Sequence, residues 1–395
     1  MKQLLIIFLL GTCISGFAIP PHTELWDEQK LKAVKMNLRS NTYRPAYETL
    51  IRRAEQALLT NYRTVMDKAK TPPSGSKHDY MSLAIYFWPD STKKDGVPYV
   101  NRDGIRNPEL KKFDAEPKSE MIDGVVTLSL ADYFSGDAKY GDAAAKLLDK
   151  WFLDPATRMN PNLDYAQHIP GICDGRGIGI IDTYNFVSLT DAIRLLHESG
   201  RLSESQFAGL KQWFFRFTDW LLESKNGRDE SVTRNNHGTA YDVQLTACAL
   251  FSGKNDVAMK TMRQFAERRM FKQIEPDGSQ PLELSRTLAF HYSWYNVTHI
   301  IDMAAIAKHH GVDIVNAVSS DGRSLDKALG FLTDYIGRQN DWKWKQIHGW
   351  DMVEQELCEE LRKVASVGGD LKYEKQREVF GKTAPDDILL MLFPM

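Results

Sequence analysis

Apolar residues recur at helical spacing along most of the chain, and almost nowhere do they alternate with a period of two. The pattern predicts helices over residues 25–38, 47–69, 118–134, 138–152, 179–198, 204–224, 238–251, 256–270, 287–309, 325–337 and 352–367. Gly, Pro, Asn and Asp gather between them, at 71–76, 154–162, 171–177, 225–236 and 275–281, as connecting loops require. Helices of similar length with no break in composition imply one all-α domain over residues 19–395. Antiparallel hairpins stacked around a common axis close most naturally into an incomplete (α/α) toroid. No repeat of fixed period is visible, which argues against a solenoid. In a toroid the loops at one rim and the inner helix ends form a cleft, and chemistry is expected there.

Met1-Lys2, a short apolar run from Leu4 to Leu10 and the small residues up to Ala18 read as a secretory signal peptide over residues 1–18, hence a periplasmic or secreted protein. The run is too short to span a bilayer, and no other stretch reaches the ~18 apolar residues that a membrane helix needs. Leu10-Gly11-Thr12-Cys13 resembles a lipoprotein box, so an acylated Cys13 is the weaker alternative. Cys173, Cys248 and Cys358 show no CxxC or CxxH spacing, which supports neither a zinc site nor a dense disulfide framework. One disulfide plus a free thiol stays open, with Cys248 reading as a core residue in an apolar stretch. The 50 Lys and Arg against 52 Asp and Glu leave a net charge of −2, so no excess positive field exists to gather nucleic acid. An anionic ligand then needs a local cluster of cations. Aromatic residues make up 11% of the chain, which fits a cleft where flat rings stack on ligands.

Four segments break the helical pattern. The first runs from His78 through Tyr86-Phe87-Trp88-Pro89-Asp90 and Gly96-Val97-Pro98-Tyr99 to Glu109, and its aromatic, Gly and Pro content suits a binding loop, with a lid packed on the rim as the alternative. The second, residues 167–182, contains Gly177-Ile178-Gly179, but no strand precedes it and a third Gly is missing, so a dinucleotide loop is rejected. The third is Arg234-Asn235-Asn236-His237-Gly238-Thr239-Ala240-Tyr241. Asn is a good N-cap, and a helix starting here sets His237 and Tyr241 on one face. Two amides and an imidazole at a helix N-terminus suit an anion, although a capped helix with a satisfied core His has the same sequence. The fourth runs from Pro276 to Thr287 and on through Phe290-His291-Tyr292-Ser293-Trp294-Tyr295-Asn296. Arg286 and Tyr292 stand six residues apart, on different faces of a continuous helix, so they meet on one ligand only if the helix begins after Arg286.

Asn-Asn-His opening a helix, then Asp277-Gly278-Ser279-Gln280-Pro281 with Glu283-Leu284 and Arg286-Thr287, then Tyr292-Ser293 and Asn296, resembles the alginate lyase superfamily of polysaccharide lyases. The likeness runs from about Tyr80 to Asn296, and the Tyr86–Asp90 and Gly96–Gly104 stretches resemble the long cleft loop of that family. It implies an incomplete α/α toroid. The chain lacks the large C-terminal β-sandwich of the exolytic oligoalginate lyases and is more similar to single-domain members that cleave polymannuronate or polyglucuronate. The implied reaction is β-elimination: a 1,4-linked uronate loses its C5 proton while the C4 glycosidic oxygen leaves, giving an unsaturated sugar. A proton next to a carboxylate is barely acidic, so the site must neutralise that carboxylate and stabilise the enolate-like charge, each donor contributing about 3 kcal/mol. By resemblance, Asn236 and Arg286 neutralise, with His237 beside them, and their chemistry agrees.

Tyr292 matches the family's acid, and also its base where C5–H and O4 lie on the same side, as in mannuronate and glucuronate. An unperturbed Tyr titrates near ~10, so base duty requires cationic neighbours, Arg286 above all, to lower its pKa. Where the two groups lie on opposite sides, as in guluronate, His237 is the base and Tyr292 the acid. Tyr295 and Tyr241 are reserve candidates, and Trp88, Arg102, His168 and Arg176 are candidate subsite residues. No cofactor is needed, because Asn, Arg and His do the charge work. No metal-ligand cluster has recognisable spacing, with an oxygen-ligated calcium left open. The expected partner is an anionic uronic-acid polysaccharide. Two rivals stand beside this reading. One is a glycoside hydrolase on a similar toroid, using a carboxylate pair drawn from Asp182, Asp242 and Glu283. The other is a secreted protein that binds uronates without cutting them.

Overall fold

The computed structural model describes residues 23–382, 384 and 387–395. The signal peptide expected over 1–18 and the acylated Cys13 lie outside the described residues. In chain order the helices are α1 (Glu28–Met36), α2 (Arg44–Leu59), α3 (Ala115–Ser135), α4 (Ala138–Leu148), α5 (Phe186–Glu198), α6 (Glu204–Glu223), α7 (Lys225–Ser231), α8 (Asn236–Ser252), α9 (Asn255–Phe265), α10 (Phe271–Gln273), α11 (Pro281–Leu284), α12 (Ala289–His309), α13 (Leu325–Thr333), α14 (Trp350–Gly368), α15 (Leu371–Phe380) and α16 (Leu389–Leu392). Four short strands accompany them: β1 (Met81–Leu83), β2 (Phe87–Trp88), β3 (Val100–Asn101) and β4 (Tyr165–His168).

The helices form two layers. α2, α3, α5, α8, α12 and α14 pack in succession as an inner ring, and α4, α6, α9, α13 and α15 back them from outside. Burial follows this division. Nearly every residue of α8 and α12 is buried, because they are covered on all sides. α9, an outer helix, buries only the stripe Ala258, Thr261, Met262 and Phe265. α16 touches both α14 and α2, and so joins the last inner helix to the first. One apolar core runs through the ring from Leu25 to Phe393. This is the α/α toroid that the helical periodicity implied.

Some local expectations are corrected. Residues 225–231, read as loop, form α7: Ser224 Oγ caps it by accepting from the Gly227 N–H at 2.9 Å, and its polar residues face solvent while Glu230 turns inward. α15 and α16 were not foreseen, since α15 is rich in charge and α16 is a single turn. The strands, too short for a period-two signal, pair as β1 parallel to β4 and β2 antiparallel to β3. Cys173, Cys248 and Cys358 are all free thiols, so the open disulfide is closed off, and Cys248 is fully buried in α8 as expected. No helix among the described residues is long and apolar enough to cross a membrane.

Candidate active site

Short helix α11 ends at Leu284, four residues unwind, and α12 begins at Ala289. The break after Arg286 lets its guanidinium fold back over the ring of Tyr292, 3.8 Å from the ring centroid. Arg286 is fixed from the other side by Asp103, through Nη2 to Oδ1 at 2.7 Å and Nε to Oδ2 at 3.3 Å. Thr287 adds its N–H and hydroxyl to the same Asp103 oxygen. Burial pushes the Asp103 carboxyl up, but Arg286 and Thr287 outweigh it and hold it below its ordinary value. Burial likewise acts against the Arg286 charge, and Asp103 more than restores it.

The N-terminus of α8 faces this cluster. The Asn235 side chain caps the helix by accepting from the His237 N–H at 3.3 Å. A Cβ at Gly238 would overlap the Thr233 carbonyl oxygen, so only glycine allows the α7–α8 link to pass so near. The last turn of α7, just before that link, carries Glu230, whose Oε1 lies 2.9 Å from His237 Nδ1. An ionised carboxylate only accepts, so Nδ1 carries the proton and Nε2 is left for the cleft. Asn236 is fully buried beneath the cleft wall. Its N–H and its Nδ2 both donate to Glu283, at 2.6 and 2.7 Å, while its Oδ1 has no partner. Burial raises the Glu283 carboxyl above its ordinary value, against the pull of the Asn236 donors.

The two clusters open on one cleft of about 650 Å³. Its lining includes Tyr86, Phe87, Asn101, Asp103, Arg106, Gln167, Arg176, Asn236, His237, Arg286, His291, Tyr292 and Tyr295. Arg286, His237 and Tyr292 keep 25%, 13% and 7% of their surface exposed, so small as the opening is, all three reach it. The Tyr292 hydroxyl lies 2.8 Å from that of Tyr86 on the opposite wall. Burial raises the Tyr292 pKa, with Tyr86 adding to the rise and Arg286 opposing it. The cation expected to lower this pKa is therefore present but outweighed, and the phenol stays protonated near pH 7. His291, one residue earlier, is pushed down to about 4 by burial, with His348 and Arg286 adding to the effect, so it is neutral near pH 7.

Among the candidate subsite residues, Arg176 lines the cleft, with Nη2 on Gln167 Oε1 at 2.8 Å and its charge over Phe87. Tyr295 lines it too, with a pKa raised by burial. Tyr241 does not reach it. It is buried in the core and donates to the Leu221 carbonyl at 2.8 Å, because the helix face it shares with His237 turns toward α6 one turn on. Trp88 and Arg102 sit outside the lining, with the guanidinium over the indole at 5.2 Å and Trp88 Nε1 on the Ile105 carbonyl. His168 lies on β4, outside the lining, with Nδ1 buried and unpartnered. Sequence reasoning missed Tyr86, Asp103, Glu230 and His291, and gave Glu283 no role beyond one of a hydrolase's carboxylate pair. Charged and aromatic residues are common in loops, and nothing in their spacing tied these to their partners.

The carboxylates of the rival hydrolase are engaged elsewhere. Asp242 is buried in an ion pair with Arg269 at 2.7 Å. Asp182 accepts from Tyr80, Ser82 and Gln167. Glu283 is only 1% exposed and holds Asn236. Among the described residues no group of three or more His, Cys, Asp or Glu side chains is placed to hold a metal ion.

A sequence profile described as Alginate lyase matches residues 64–342. The chain belongs to the alginate lyase family. It is similar to the crystal structure of an alginate lyase from Bacteroides ovatus, with 45% identity over 94% of this chain and 99% of that one and a TM-score of 0.92. It shares its fold with alginate lyase A1-III from Sphingomonas species A1, at 15% identity over 95% and 97% of the two chains and a TM-score of 0.64. A variant of A1-III complexed with a tetrasaccharide matches at a TM-score of 0.61, with 15% identity over 95% of this chain and 96% of that one. No curated protein sequence matches the chain. Membership in the family makes this alginate lyase homologue a polysaccharide lyase, and the hydrolase alternative is not favoured.

Proposed function

We propose that the cleft holds a 1,4-linked polyuronate, mannuronate- or glucuronate-containing, and cuts it by β-elimination with Tyr292 as the acid. The observation that carries the reading is the Arg286 guanidinium stacked on the Tyr292 ring in the same cleft as His237. Arg286 faces the carboxylate of the sugar that loses its proton, His237 turns Nε2 toward its C5, and Asn236 stands behind the wall, its amide donated to Glu283. A guanidinium fixed in place by Asp103 before the substrate arrives stabilises the developing enolate charge far better than mobile water would. Tyr292, kept protonated by burial, gives its hydrogen to the C4 oxygen as the bond breaks. The base depends on the sugar. His237, with Nδ1 fixed on Glu230, offers Nε2 to a C5 proton on the face opposite the leaving oxygen. For a proton on the same face, Tyr292 has to enter the step as the phenolate, take the C5 proton and pass that same proton to the C4 oxygen; of its neighbours the Arg286 charge over its ring works in that direction, against burial.

Arg176 is read as the contact for a neighbouring carboxylate. The mature chain is read as one domain, on the strength of its continuous core, and as exported, on the strength of its N-terminal sequence. The test is incubation with polymannuronate, polyguluronate and polyglucuronate while following the ultraviolet absorbance of the unsaturated uronate. Absorbance rising with new reducing ends supports elimination. Reducing ends without it would mean hydrolysis, and neither signal on any of the three would favour a binding protein.

A further inference from the structure

Residues 339–349 form a strap along the rim that the chemistry above does not use. Its start is anchored by Trp342 and Trp344, which pack on each other at 4.9 Å and against Phe331 and Tyr335. Its end is fastened to both walls of the cleft. The Lys345 carbonyl accepts from the Ala289 N–H at 2.8 Å, and the Ile347 N–H donates to the Thr287 carbonyl. Gln346 Oε1 accepts from the N–H groups of Phe290 and His291, at 3.0 and 3.3 Å, in the first turn of α12. His348 Nε2 lies 3.0 Å from the Gly104 carbonyl, next to Asp103.

Held in this way, the strap presents Lys343 and Lys345 to solvent, and neither has a carboxylate partner among the described residues. Arg102 and Arg106 flank Gly104 on the facing loop, both exposed and both without an ion pair among the described residues. Asp103, the carboxylate between them, is held by Arg286. Four uncompensated cations therefore stand along one rim of a chain whose net charge is −2. The family profile ends at residue 342, just before the two lysines.

We propose that the strap from Lys343 to His348, with Arg102 across from it, is a landing surface for uronate residues of the polymer that lie outside the cleft. The proposal rests on the polyuronate reading of the site. A polyuronate carries a carboxylate on every sugar, and a fixed row of cations beside the entrance raises its local concentration and steers it inward. Such rim charges act on capture, are screened by salt, and do not touch the bond-breaking step.

The test is the double variant K343Q/K345Q, assayed on long polyuronate and on the shortest oligosaccharide that the enzyme cleaves. On polymer at low salt, kcat/KM is expected to fall roughly three- to tenfold, with kcat at saturation unchanged and the gap closing at high salt. On the short oligosaccharide no change is expected. Wild-type kcat/KM on polymer at low salt would overturn the proposal, and so would an equal loss on the short substrate. To separate the strap from the lyase reading, polymannuronate affinity is also compared between Tyr292→Phe protein with and without the two Lys→Gln changes. Weaker, less salt-dependent binding in the triple variant supports the strap even if no polyuronate is cut. Equal affinity sinks it.

Discussion

Tyr292 carries the proton that the leaving oxygen needs, so Tyr292→Phe is expected to lower kcat by about 10³-fold or more while oligosaccharide affinity changes little. Single-turnover absorbance together with calorimetric titration of the substrate checks both halves. A near-normal rate would move the acid elsewhere. His237 separates the substrates: His237→Gln should cost about 10²- to 10⁴-fold on polyguluronate, where it is the base, and less on polymannuronate. Comparing the two rates on defined polymers decides the matter, and equal losses would contradict the assignment of bases. His291 affects stability rather than turnover. Its folded pKa, near 4, lies below the ordinary value of 6.5, so the folded form disfavours the charged ring. Stability from this group is present above pH 6.5 and is lost as pH falls from there through 4, amounting to roughly 2–3 kcal/mol. His291→Asn should flatten that part of the stability curve, measured by urea unfolding at pH 7 and pH 5.

Much of this residue-level site was legible beforehand. His237, Arg286 and Tyr292 border one cleft, and the condition that α12 must start after Arg286 is met, whereas Asn236, expected to neutralise the carboxylate, is buried behind the wall with its amide held by Glu283. Tyr241 was misplaced because a four-residue spacing fixes a shared helix face but not what that face meets. Glu230 was hidden because a polar stretch with a glycine reads as loop. Only the packed chain shows that α7 turns this one carboxylate inward onto His237.

At the scale of elements, α12 is the beam on which the site is built, and its first turn is finished by a side chain from the strap. Gln346 satisfies two N–H groups that the helix leaves open there. Gln346→Ala should cost about 1 kcal/mol, visible as a lower Tm, with a fall in kcat/KM because Arg286 and Thr287 lie just before that turn. An unchanged Tm would mean that water caps the helix equally well. Inner helices such as α8 and α12 were readable from the sequence because long apolar runs leave little choice. The short strands and α16 were not, since two to four residues carry no period.

At the scale of the whole molecule, α16 completes the ring. Arg362 Nε donates to the Phe393 carbonyl at 2.7 Å and Ser366 Oγ to that of Pro394 at 2.7 Å, while Leu390, Met391 and Phe393 are buried. Removing residues 387–395 should destabilise the fold by roughly 4.5–9 kcal/mol, from three apolar side chains at about 1.5–3 kcal/mol each. Unfolding and loss of activity should shift together, since the inner helices share one core. An active, normally stable truncated chain would show that the ring needs no such closure. The toroid was foreseen from the run of similar helices, but which segment joins its ends depends on contacts between distant parts of the chain.

The most direct test is a crystal structure of the Tyr292→Phe protein soaked with a polyuronate oligosaccharide. One uronate carboxylate should lie within hydrogen-bond distance of Arg286, with its sugar beside His237 and the glycosidic oxygen facing the edge of residue 292. An oligosaccharide bound with its carboxylates away from Arg286, or with its scissile oxygen far from residue 292, would contradict the account.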